Sequence, residues 1–307
     1  MGGGTWSADD WKGYSKTTST RSARENFTAT STKKDMSPWN VVRESCDSTA
    51  HPKSTPVIVA MDVTGSMQHI PQYMVRTGLG VIFNEILNRK PITDPQVAVY
   101  AFGDVFCDRS PLQVSQFESD MTITKWIESI HLEGGGGGNQ FESYDMPYYF
   151  AAYHTKIDSM LKRKQKGFIF TFGDEPPPKA VSAAKVRSII GDTLQADIPF
   201  ADLLAVVRQS WIPYHICCMD TGTGSGYLRE GMKAREEWKE LFGQNVLFCD
   251  DHTKLSELIV SVLQVHAGED VEEISKSWSG TTAVTIRNAI KDLRVGVHHV
   301  APLVDFE

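Results

Sequence analysis

The 307-residue chain has no apolar run near the roughly 20 residues that cross a bilayer, which argues against a membrane protein. It has no basic excess: 31 Lys and Arg against 38 Asp and Glu give a net charge of −7. A general nucleic-acid binder needs a basic face to displace counterions, so that class is set aside. There is no CxxC pair, and five cysteines (46, 107, 217, 218, 249) leave an odd thiol. That usage reads as reduced thiols in a cytoplasmic protein. Neither HExxH nor GxxxxGK[ST] occurs, which removes those zinc and phosphate-loop motifs. The opening Met-Gly-Gly-Gly-Thr-Trp is not built as a signal peptide, and Trp6 stands where myristoylation wants Ser or Thr.

What is present is an ordinary globular balance, 41% hydrophobic and 22% charged. Residues 1–54 are poor in aliphatics and rich in Gly, Ser, Thr and Lys, with Trp6, Trp11, Tyr14, Phe27 and Trp39 as the only anchors. They are expected to form a flexible arm. From Thr55 short apolar runs alternate with helical spacing. Val57–Met61, Val97–Phe102, Phe168–Phe172, Tyr214–Met219 and Val246–Cys249 read as strands covered on both faces. Helices are expected over 71–88, around 123–130, over 146–160 as one long element, and over 199–210, 228–242 and 255–263. Strands alternating with helices predict an α/β fold, a doubly wound, mostly parallel sheet with helices on both faces. That domain spans 55–266, and 267–307 follow as a C-terminal extension with a helix near 282–293 and a strand-like Val295–Val297.

Open α/β sheets collect ligands at the carboxyl ends of their strands, so chemistry is sought there. After the first strand comes Asp62-Val63-Thr64-Gly65-Ser66, and after Phe172 comes Gly173-Asp174-Glu175. Between them Leu132-Glu133, five glycines (134–138) and Asn139-Gln140-Phe141-Glu142 lead into a helix. Asp, Thr and Ser at alternate positions aim three oxygens at one point, Asp174 arrives from another strand end, and Glu142 or Asn139 can arrive from the glycine loop. Hard oxygen donors with few charges suit Mg²⁺ or Mn²⁺. The glycines would let backbone approach the ion closely.

These loops resemble the von Willebrand factor A (integrin I-like) family. Its metal-ion-dependent adhesion site opens with DxSxS, matched here by Asp62, Thr64 and Ser66, with Thr64 keeping the hydroxyl of the usual Ser. Its last loop carries an Asp after an apolar strand, matched by Asp174. The family's second loop supplies a Thr, and none stands in 133–143. Some members carry Asp-x-Pro-Glu there; Asn139-Gln140-Phe141-Glu142 is similar, which makes Glu142 a metal ligand and Asn139 a support. The resemblance implies a non-enzymatic, metal-dependent protein-interaction domain. An open coordination position would take an Asp or Glu from a protein partner, and cytoplasmic relatives often work beside AAA-type ATPases.

Two enzyme classes compete. Asp220-Thr221-Gly222-Thr223-Gly224-Ser225-Gly226 resembles the DxGxGxG loop of S-adenosylmethionine-dependent methyltransferases, yet only about 80 residues follow it, too few for the rest of such a domain. A haloacid-dehalogenase-type phosphatase needs a second Asp where Thr64 stands. His215, inside an apolar strand, is expected to be a satisfied core residue, and Cys217 and Cys218 to point to opposite sheet faces. The run Lys162–Lys166 is read as a solvated helix end rather than a nucleic-acid patch.

Overall fold

The computed structural model describes residues 4–133, 142–220 and 231–294, with side chains from 234 onward in the last stretch. Six strands form the main sheet: β1 Thr55–Asp62, β2 Pro95–Phe102, β3 Leu112–Val114, β4 Gly167–Gly173, β5 Trp211–Cys218 and β6 Val246–Cys249. Their spatial order is β6-β5-β4-β1-β2-β3, all parallel except β3, which runs antiparallel to β2 at the edge. All eight residues of β1 are buried, as an unbroken apolar run requires when helices cover both faces. Alternation then divides the core. Val57, Val59 and Met61 pack in one cluster with the helices Leu79–Arg89 and Leu255–His266. Ile58 and Ala60 pack in the other with Asp145–Tyr153 and Phe200–Ser210. Cys218 and Cys217 fall in the first and second cluster respectively, so they do face opposite ways. The doubly wound α/β fold is thus the one the alternation predicts.

Two expectations need correction. Residues 4–54 are not a free arm. Ala8–Ser19 is helical, started by a capping box in which Ser7 and Asp10 satisfy each other's backbone N–H groups. Trp6 and Trp11 lie against Phe83, with ring centroids 4.0 and 4.8 Å away. Trp11 is 1% exposed and Met36 is fully buried in the same cluster, while Trp39 stays 49% exposed. A few large aromatic surfaces replace the many aliphatics that the segment lacks.

The expected helix over 146–160 is broken. It runs Asp145–Tyr153, then Thr155–Ile157 forms a parallel two-stranded ladder with Arg43–Ser45, and Asp158–Arg163 resumes as helix. The partner strand comes from the N-terminal segment, more than 100 residues away, so no local periodicity announces it. The helix expected near 282–293 is present as Gly280–Ile290; Val271–Ser277 precedes it, and Ile274, Ile286 and Ile290 join the core beside Leu255–His266. Arg89 stacks on Trp278 at 3.7 Å and fastens them to the domain. Val295–Val297 lie outside the described residues. Among the described residues no helix is long and apolar enough to cross a membrane.

Candidate functional site

The chain builds β1, β2 and β3 outward on one side, then returns to lay β4 on the other side of β1. Strand order therefore reverses between β1 and β4, where connections diverge and leave a crevice at the carboxyl edge. Asp62 ends β1 and Asp174 directly follows β4, so both carboxylates stand at that switch point. They are 0% and 2% exposed.

The first loop is tied by its own polar groups. Asp62 Oδ1 accepts the Thr64 backbone N–H at 2.9 Å and the Thr64 hydroxyl at 2.6 Å. Ser66 sits in the short 3₁₀ turn Gly65–Met67, and its hydroxyl donates to Asp174 Oδ1 at 3.3 Å. Thr64 is thus bonded to Asp62 within the first loop, and Ser66 links that loop to Asp174 across the crevice. Glu142 stands at the edge of the described residues; its Oε2 is buried and accepts no hydrogen bond from any described residue. Asn139 lies outside the described residues, as do the five glycines.

Burial pushes the Asp62 carboxyl well above its ordinary range; the Thr64 hydrogen bonds oppose this, and Asp174 and Glu175 add to it. Glu142 is raised in the same direction by burial first, then by Asp62, Asp108 and Asp104. These carboxyls crowd one another inside low-dielectric surroundings, and a divalent cation relieves that repulsion directly. The oxygens of Asp62, Glu142 and Asp174 are not, however, all within 4.8 Å of one another. An ion held directly by all three would need the loops to draw in. One that keeps its waters, as Mg²⁺ does, reaches some of them through water. The hard-oxygen donor set and the orphaned Glu142 oxygen fit such an ion.

Two further acids at this edge escaped sequence reasoning. Gly103-Asp104 follows β2 just as Asp174 follows β4, and the strand-end rule applied to Phe102 would have found it. Asp104 is 2% exposed, and its backbone N–H donates to Asp108 Oδ2 at 2.7 Å. Ser143 hooks the end of the glycine loop onto this turn, its hydroxyl accepting from Val105 N–H at 3.0 Å. Beside Asp104 and Glu142 a cleft of about 330 Å³ opens, with Phe106, Pro178, Lys179 and Lys185 on its walls. Phe106 is 66% exposed and Lys185 lies over its ring.

No family model and no curated protein matches the chain. Several solved structures show partial likeness to the chain. The pilus adhesin SpaC from Lactobacillus rhamnosus GG is 10% identical, with a TM-score of 0.47 over 78% of this chain and 32% of the adhesin. The chain thus spans about a third of the adhesin's length. The conserved hypothetical protein BatB from Bacteroides thetaiotaomicron is 12% identical, with a TM-score of 0.42 over 70% of this chain and all of BatB. Proximal thread matrix protein 1 from the mussel byssus is 12% identical, with a TM-score of 0.41 over 70% and 46%. These are likenesses of fold at low identity, and what this chain binds has to be read from its own residues.

The competing sites fare differently. Asp220 follows β5, away from the switch point, and residues 221–226 of its glycine-rich loop lie outside the described residues. Asp220, Asp251 and His252 do gather within 4.8 Å. Their own hydrogen bonds account for that closeness: Asp220 Oδ2 meets His252 Nδ1 at 2.7 Å, and Asp251 Oδ1 accepts the Thr253 N–H and hydroxyl at 2.9 and 2.6 Å. His215 is a core residue but only half satisfied: it is fully buried, stacked on Trp238 at 3.6 Å and bonded through Nδ1 to the Thr171 hydroxyl at 2.8 Å, while its Nε2 has no hydrogen-bond partner among the described residues.

Proposed function

We propose that the chain is a divalent-cation-dependent protein-interaction domain that binds a partner's carboxylate at its carboxyl edge. The observation that carries this reading is the pair of buried carboxylates, Asp62 and Asp174, flanking the switch point with the Thr64 and Ser66 hydroxyls bonded to them. Asp62, Thr64, Ser66 and Asp174 would hold Mg²⁺ or Mn²⁺, with Glu142 at its side. When bound, the ion would supply a Lewis-acidic centre that attracts an incoming Asp or Glu. Thr64 and Ser66 are neutral donors, so they leave much of its charge uncompensated. Burial of Asp62 keeps water from competing with that attraction.

We read the domain as non-enzymatic. The three loops read from the sequence contain no His or Lys to act as base, and their carboxylates would be engaged with the ion. The five free cysteines favour a cytoplasmic setting. An AAA-type ATPase is the class of partner proposed, by the family resemblance alone.

Calorimetry with Mg²⁺ tests the site: Asp62→Ala should abolish binding while circular dichroism stays native. A pull-down in Mg²⁺, repeated in chelator, tests the use of the site. Loss of one partner in both chelator and Asp62→Ala supports the reading; a partner held fully in chelator refutes it.

A further inference from the structure

The second loop of this chain carries no Thr, so the hydroxyl that the resemblance leads one to expect there has to come from elsewhere or be missing. Tyr144, two residues after Glu142, is fully buried beneath the crevice. Its phenol oxygen accepts the backbone N–H of Glu175 at 3.1 Å, and its O–H donates to Asp62 Oδ2 at 3.5 Å. Asp62 Oδ1 is already taken by Thr64. The phenol is thus seated on the Glu175 N–H and reaches Asp62 Oδ2 by a long contact, bridging the loop after β1 and the loop after β4.

The ring has little room to swing away. Phe102, His215 and Trp238 meet it edge-on, with centroids 5.1, 5.1 and 5.2 Å away. Trp238 also donates its indole N–H to the Glu175 carbonyl at 3.0 Å, so the same aromatic group clamps both backbone polar atoms of Glu175. Gly173 is what admits the phenol: a Cβ at that position would lie 2.0 Å from the Tyr144 oxygen. The Gly before Asp174 is thus a packing requirement of Tyr144.

Resting on the metal reading above, we infer that Tyr144 is the positioning residue of this metal site, holding Asp62 and the Asp174 loop in a fixed relation to one another. Outer-shell partners of metal ligands typically change affinity by about 10–100-fold. Mn²⁺ serves as the probe, because it reports by calorimetry and by its electron paramagnetic resonance spectrum. Tyr144→Phe keeps the ring and its packing. It should weaken Mn²⁺ by about 10–100-fold, alter the spectrum of the bound ion, and speed hydrogen exchange at the Glu175 amide. Gly173→Ala, which drives the hydroxyl off its seat, should match it. If either variant fails to fold, 3-fluorotyrosine at 144 carries the test: its altered O–H donor strength should shift Mn²⁺ affinity and the spectrum of the bound ion. Wild-type binding with an unchanged affinity and spectrum in Tyr144→Phe, or in the fluorotyrosine protein, overturns the inference and leaves the metal reading standing. Wild-type protein that takes up no Mn²⁺ overturns both.

Discussion

Trp11→Ala should release the N-terminal segment from the domain. Trp11 is 1% exposed, stacked on Phe83 at 25°, with its side chain against Gly80. A buried tryptophan covers about 150–250 Å². At about 25 cal/mol per Å² that is about 4–6 kcal/mol, an upper figure because the detached segment still buries some of this surface. Direct truncations of buried aromatics cost about 3–5 kcal/mol. The segment precedes every strand of the main sheet, so the loss should appear first as local opening of 4–54 and only later as global unfolding. At about 1.4 kcal/mol per tenfold, the open population should rise about 100-fold or more. Lys12, Lys16, Arg21 and Arg24 give trypsin its sites there. When reclosing outpaces cleavage, the rate follows the open population. Native-state trypsinolysis followed by mass spectrometry should show slow trimming of wild type and rapid trimming of Trp11→Ala. Trp39→Ala, at a 49% exposed position, should behave as wild type. Equal trimming of wild type and Trp11→Ala would refute the docking argument, and rapid trimming of both would return the segment to a flexible arm.

Mg²⁺ affinity should rise with pH, by about tenfold per unit while Asp62 must lose a proton to bind, because burial holds that carboxyl well above its usual range; a flat calorimetric profile from pH 6 to 9 would contradict this. The same raised group has a sign for metal-free stability: the folded state holds the proton longer than the unfolded chain. Stability from Asp62 is therefore full below the unfolded carboxylate range and declines as pH rises, and urea titrations of Asp62→Asn against wild type should show that slope removed. Asp47 works oppositely. Against the pull of burial, hydrogen bonds from Arg163 and Ser54 hold it at about 2, so its contribution is present above pH 4 and lost as pH falls towards 2. Asp47→Asn should flatten the acid limb of the stability curve. Glu142→Gln should weaken Mg²⁺ while leaving the fold intact; unchanged affinity would remove Glu142 from the site.

The sequence by itself determined the strands of the parallel sheet, because a strand covered on both faces must be almost wholly apolar, and Val57–Met61, Val97–Phe102 and Phe168–Phe172, where Thr171 is the one break, are. It also determined the chemistry placed at their carboxyl ends, since Asp62, Thr64, Ser66 and Asp174 follow directly from where those runs stop. Only the tertiary structure decided what depends on distant partners. The docking of Trp6 and Trp11 rests on Phe83, some 70 residues on, and the break at Thr155–Ile157 rests on Arg43–Ser45. β3 is three residues long, too short for any period to register, and pairs through the backbone of β2. Tyr144 precedes the helix expected over 146–160, and spacing assigns it no role. Its hydroxyl acquires meaning where β1 and β4 lie side by side and Gly173 leaves it room, a juxtaposition of residues 62, 144 and 173 that chain folding alone creates.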